Sequence, residues 1–173
     1  MPTLLKLMVG IVAHPTQAKK DSIAKRKPMK SSYDHDFYNW AMYNAQLLKE
    51  GKLAQADIEQ IAIELESMGR SEYNALVSRL GILLAHLLKW HYQPEHRSWS
   101  WECTIREQRV QITRLLRQNP SLKAKLETIM ADAYEDAVLI AERETHIHRH
   151  NFPAICQWAF EQIMTTTYSL KEF

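Results

Sequence analysis

The residues best equipped for chemistry crowd into one stretch. Trp90, Trp99 and Trp101 place three of the five tryptophans within twelve residues, interleaved with Lys89, His91, Tyr92, His96 and Arg97. On the helix that follows, stepping about 100° per residue from Arg106 brings Arg109, Arg114 and Arg117 within about 80° of it. Trp101, Ile105, Ile112, Leu115 and Leu116 fall on the other side. Rings that stack on bases, beside cations that follow phosphates, are the recipe for sequence-tolerant single-strand binding. The same aromatic and arginine side chains anchor protein contacts. Against both stands a bland reading: tryptophans around a helix–loop–helix turn commonly close a bundle end, and outer arginines pair with Glu102 or Glu107. Lys89, Trp90, Tyr92, Arg97, Trp99, Trp101, Arg106 and Arg109 form the candidate interaction surface.

Other titratable groups carry less. His146, His148 and His150 alternate, and three imidazoles so spaced reach one metal only from an extended backbone, so the stretch reads as a solvated loop. His86 sits beside an apolar stripe, where a hydrogen-bonded core histidine is the commoner outcome. Glu64, Glu66 and Glu72 read as the solvated side of a long helix. There is no glycine-rich phosphate loop, no G-x-S-x-G elbow, no H-E-x-x-H helix and no pair of Glu-x-x-His sequences for a di-iron bundle. No catalytic, cofactor or metal residue is therefore expected. An enzyme would have to use Glu64, His86, Lys89 or Tyr92 in a pocket between helices. Cys103 and Cys156 stand far apart with no C-x-x-C spacing, which suggests a reducing cytoplasm.

The elements that must position these residues are helices. Only four glycines and six prolines interrupt 173 residues rich in good helix formers, and no segment alternates like a strand. A first helix is predicted from about Asp36 to Glu50, with Asp34 near its cap, Gly51 as its stop, and Phe37, Trp40, Ala41, Asn44, Leu47 and Leu48 on one face. A second spans about 57–92, opened by an Asp57/Gln60 capping box. Ile58, Ile61, Ala62, Leu65, Met68, Tyr73, Leu76, Leu80, Leu83, Leu84, Leu87 and Leu88 form its stripe. Phase is kept across Gly69, which favours one continuous helix. After a loop at Gln93–Ser98, a third helix runs from about Ser100 to Gln118. Asn119-Pro120 caps and starts a fourth that ends near Thr145, and a short fifth follows Pro153 with Ile155, Trp158, Ala159, Gln162 and Ile163. Short connections between long amphipathic helices predict an all-α, antiparallel up-and-down bundle of four long helices plus a short C-terminal one.

Charge divides the chain. Residues 1–32 carry seven Lys/Arg against one Asp, while residues 33–173 carry fifteen Lys/Arg against nineteen Asp/Glu. The basic part reads as a disordered tail and 33–173 as one domain. The apolar run from Leu4 to Ala13, broken by Lys6 and Gly10, is far short of the roughly 20 residues that span a bilayer, and it makes a poor signal peptide.

Several segments together resemble a known bacterial family. They are Tyr33-Asp34-His35-Asp36-Phe37-Tyr38-Asn39-Trp40, Met68-Gly69-Arg70-Ser71-Glu72, and Leu84 through Pro94. Ser98-Trp99-Ser100-Trp101, Thr104 through Arg109, Asn119-Pro120-Ser121-Leu122 and Phe152 through Trp158 continue the match. The resemblance, over about residues 33–164, is to the domain-of-unknown-function family numbered twenty-nine. It implies a helical bundle with no assigned activity, cofactor or catalytic residue. The chain departs from the pattern in its N-terminal extension, in the His146–His150 stretch and at Gln157, where proline is commoner.

The function expected is therefore a non-enzymatic cytoplasmic module that binds a protein partner or itself through the Trp90–Trp101 end, with no membrane role. Single-strand nucleic-acid binding through the same corner and the third helix is the alternative. Met29, just ahead of the first periodic segment, is the expected natural start of translation. Intact-mass measurement of the native protein should give a chain beginning there, and a species that retains Leu4 through Pro28 would rule it out.

Overall fold

The computed structural model describes residues 33–168, and the expectations placed on the basic tail and on Met29 lie outside them. The described residues are all-α, a helical bundle without strands. Five helices follow in order: α1 (Phe37–Lys49), α2 (Ile58–Tyr92), α3 (Trp99–Gln118), α4 (Leu126–Thr145) and α5 (Phe160–Thr165). Tight 3-10 turns occupy Leu53–Gln55, Pro94–His96, Pro120–Lys125 and Arg149–Asn151. The chain divides into two compact units, one ending at Glu64 and the other beginning at Leu65.

In the first unit, the Asp36 carboxylate accepts the Asn39 N–H at 2.9 Å and so caps α1, two residues later than the sequence placed the cap. Gly51, at φ 70°, supplies the left-handed residue that ends α1. Asn44 ties the hairpin: its amide donates to the Trp40 carbonyl while its side-chain oxygen accepts the Asp57 N–H, both at 2.9 Å. Asp57 in turn accepts the Gln60 N–H at 3.4 Å, the capping contact expected at the start of α2. Tyr33 hydrogen-bonds Glu64, so α1 runs antiparallel to the first turns of α2. The buried face is narrower than the periodicity suggested. Trp40, Asn44 and Leu47 are buried, but Phe37 and Leu48 are 53% and 39% exposed.

Helix α2 is unbroken across Gly69, and its 35 residues make it about 52 Å long. Its stripe is buried only from Leu76 onward. Ile58, Leu65 and Met68 are exposed, because a period tells which residues share a face and not whether anything covers it. In the second unit Leu76, Leu80, Leu83, Leu84, Leu87 and Leu88 pack with Ile105 and Ile112 of α3 and Ile129, Ala133 and Ala137 of α4. Cross-links give the topology. Arg79 reaches Gln108 and Asn119 reaches Glu72, so α3 returns against α2. Tyr73 donates to Asp132 and Lys89 to Glu144, so α4 climbs beside α2 in the same direction. Residues 65–145 thus run up, down and up.

Two local expectations are corrected. The fourth helix begins only at Leu126, after the six-residue 3-10 stretch from Pro120. Asn119, expected to cap it, instead sends its amide back to the Leu115 carbonyl and across to Glu72. The fifth helix does not start after Pro153: residues 153–159 are non-helical, and Ile155 is 77% exposed. Helix begins at Phe160, where the Gln162 side chain accepts the Ala159 N–H at 2.8 Å.

The glycines separate these effects. A Cβ on Gly69 would meet nothing within 4 Å, whereas on Gly81 it would lie 3.4 Å from the Ala133 carbonyl oxygen and the Asp136 Cβ. Gly69→Ala should raise unfolding free energy by roughly 0.5–1 kcal/mol in urea titration. Gly81→Leu should lower it by about 1–3 kcal/mol through overpacking. Equal effects at the two sites would mean that helix propensity alone, not α2–α4 packing, sets the difference.

Candidate functional site

The aromatic and basic residues between Lys89 and Arg109 do come together, but mostly inward. Lys89, on the last turn of α2, is 6% exposed, and its ammonium donates to the Glu144 carboxylate of α4 at 2.6 Å. The same nitrogen lies 4.5 Å from the Trp101 ring centre, a cation–π contact that compensates part of its lost hydration. The hydrogen bond from Lys89 holds the Glu144 carboxyl below the usual carboxylate range. One turn earlier His86 pairs its Nδ1 with the Ile82 carbonyl at 2.9 Å, and burial holds its imidazole below the ordinary histidine value.

Trp90 is 5% exposed, with Arg97 folded over it at 5.2 Å and donating through Nε to the Trp90 carbonyl at 2.9 Å. Tyr92 packs edge-on against Phe152, and His91 against Trp158. Arg109 reaches from α3 to the C-terminal segment, donating to the Ile163 and Thr166 carbonyls at 2.7 and 2.8 Å beneath the Tyr168 ring. Burial lowers the pKa of its guanidinium. So Lys89 and Trp90 are corrected from surface to core, and Trp101 is partly buried. Arg97 and Arg109 serve mainly as structural ties. Trp99, 62% exposed, and Arg106 stacked on it at 5.1 Å remain at the surface, and Arg106 is also bonded to Glu102. Tyr92 is exposed at 36%.

Clefts open at several places on the described residues. One of about 480 Å³ lies between α4 and the segment before α5, lined by Leu126, Met130, Tyr134, Ile155, Cys156 and Trp158 among others. The Tyr134 hydroxyl there donates to the Pro153 carbonyl, and burial pushes its pKa up to about 12. The Cys156 thiol is likewise pushed up by burial, which leaves it a weak nucleophile. A second cleft, of about 420 Å³, is lined by Arg109, Val110, Thr113, Arg114, Arg117 and Met164. The third, of about 260 Å³ in the first unit, is lined by Tyr33, Asp34, Asp57, Glu59, Gln60 and Ile63. Glu64, His86, Lys89 and Tyr92 line none of the three. His146 takes the left-handed position that ends α4, and the rings of His148 and His150 lie 4.2 Å apart. Among the described residues no three of His, Cys, Asp and Glu are grouped to hold a metal.

Sequence reasoning missed Glu144, Phe152 and Tyr168 as partners of the corner, since all three are brought in from distant chain positions. It also missed the exposure of the first unit. Among the described residues no helix is long and apolar enough to cross a membrane.

The fold defines an all-α helical bundle. The chain belongs to the family described as Domain of unknown function DUF29, whose model matches residues 32–169. No curated protein and no solved structure matches it.

The Lys89–Glu144 pair is asymmetric, because the ammonium is buried and the carboxylate is partly in water. Glu144→Ala strands the charge and should cost roughly 2–4 kcal/mol in urea unfolding, while Lys89→Met should cost no more than about 1 kcal/mol. Glu144 and His86 both have folded pKa values below their ordinary ones, so each contributes stability above its unfolded pKa that is lost as pH falls. Thermal midpoints should therefore fall below about pH 6.5, and His86→Gln should remove the upper part of that decline. A midpoint that rises on acidification would reverse the assignment.

Proposed function

We propose that the protein is a non-enzymatic interaction module of the cytoplasm, and that its docking face is the first unit rather than the Trp90–Trp101 end. The observation that carries this is where exposed apolar surface collects. Of the fifteen large hydrophobic residues exposed among those described, Phe37, Tyr38, Met42, Tyr43, Leu48, Leu53, Ile58 and Ile63 belong to residues 33–64. That is over half of them in about a quarter of the described chain. A concentration of exposed apolar residues of this kind is what interaction sites show.

Charge selects the occupant. Residues 33–64 hold six Asp/Glu against Lys49 and Lys52, and Asp34, Asp57 and Glu59 line the cleft beside Ile63. A second copy would set like charge against like. A partner segment with apolar anchors and Lys or Arg flanks fits instead. Free Cys103 and Cys156 are in keeping with a reducing compartment. The competing reading, single-stranded nucleic acid on α3, keeps Trp99 as the sole exposed tryptophan among the described residues.

Fluorescence anisotropy with two labelled amphipathic helical peptides, one leucine–lysine and one leucine–glutamate, tests this on the full chain. The basic peptide should bind and the acidic one should not. Tyr38→Ser with Met42→Ser should weaken binding roughly tenfold at unchanged helicity, and Trp99→Ala should not. A stable dimer in light scattering that Tyr38→Ser and Met42→Ser dissolve would show self-association instead. Binding lost only with Trp99→Ala would return the surface to the corner.

A further inference from the structure

Beyond Arg106, the exposed side of α3 holds positive charge that no carboxylate among the described residues pairs. Arg106 is satisfied by Glu102, but one turn further on Arg109, Arg114 and Arg117 line the 420 Å³ cleft with Val110, Thr113 and Met164, and no carboxylate of the described residues lines it. Arg114 and Arg117 are exposed and form no ion pair among the described residues. Arg109 is partly buried, and the partners that hold its Nε and Nη2 are carbonyls and a ring, so among the described residues no anion pairs its charge and Nη1 has no acceptor. Three guanidiniums, one of them immobilised by the α5 segment, suit a multiply charged oxyanion: Arg114 and Arg117 offer paired N–H donors, and Arg109 adds its fixed charge and Nη1.

The remaining lining narrows the class. The Thr113 hydroxyl already donates to the Arg109 carbonyl at 2.8 Å, so it can only accept and adds nothing to anion binding. Val110 and Met164 give the cleft an apolar wall. A volume of this size suits a small ligand, within the roughly 300–1,000 Å³ usual for ligand sites. We propose that the Arg109–Arg114–Arg117 cleft binds a small phosphorylated molecule, its phosphoryl group on the arginines and a compact apolar or planar body against Val110 and Met164. This site lies wholly in the second unit, on residues distinct from the docking face of the first.

Three probes separate the sources of phosphate: phenyl phosphate, inorganic phosphate and an oligothymidylate. Each is titrated into the full chain at low salt by calorimetry and by NMR of the arginine side chains. Phenyl phosphate should bind saturably in the millimolar range or tighter, and more tightly than inorganic phosphate. Arg114→Gln with Arg117→Gln should weaken it by roughly tenfold or more, with far-ultraviolet circular dichroism unchanged because glutamine suits an exposed helix interior. Either single variant gives an intermediate loss and guards against a folding defect in the double one. No saturable binding of phenyl phosphate, or equal binding by the double variant, would overturn the site. Binding of oligothymidylate with a steep salt dependence and none of phenyl phosphate would also overturn it, and would make this face a polynucleotide track.

Discussion

Where α2 and α4 meet at Gly81, a Cβ would already touch the Ala133 carbonyl oxygen and the Asp136 Cβ at 3.4 Å, and Ala133, Ala137 and Ala141 are fully buried along α4. That separation decides what can lie further along. At the end of α2 it brings Glu144 within hydrogen-bonding distance of Lys89, and α3 then closes the third side with Trp101. A cation in a low-dielectric core is tolerable only when paired, so the register of the helices and the neutralisation of Lys89 are one condition stated twice. The leucines of α2 supply cohesion, but leucine packing alone admits slippage by a turn. The Lys89–Glu144 contact does not.

From that condition follows the fate of the aromatic corner. Trp90 and Trp101 are drawn inward to fill the end of the bundle, Arg97 lies over Trp90, and Arg109 fastens the C-terminal segment by its carbonyls. Residues that looked like a recognition surface are largely the closure of a core. What stays exposed differs in character between the two units: an acidic and apolar first unit, and an arginine row on α3.

Element identity was legible in the sequence because amphipathic period, the Asp57 capping contact, Gly51 and Pro94 are local signals. The continuity of α2 across Gly69 could be read from unbroken phase. What could not be read is coverage. Leu65 and Leu76 have the same residue type on the same stripe, yet one is 62% exposed and the other fully buried, because their difference lies in what packs against them. Likewise Lys89 and Arg97 are both basic residues beside tryptophans, and only the placement of Glu144, 55 residues away from Lys89, distinguishes a core charge from a surface one. The late start of α5 escaped notice because Ile155 and Trp158 keep a helical spacing that the chain does not use.

The same 55-residue separation has a bearing on biosynthesis. A chain made from its N-terminus can form α1 and α2 long before Glu144 leaves the ribosome, and in that interval the Lys89 ammonium lacks its native carboxylate and is better off hydrated than buried. The leucine-lined end of α2 is then held open by its own charge, and early collapse around the wrong neighbour carries an electrostatic penalty. Closure waits for the last turn of α4, so a nascent chain stalled before residue 144 would expose that apolar seam to chaperones.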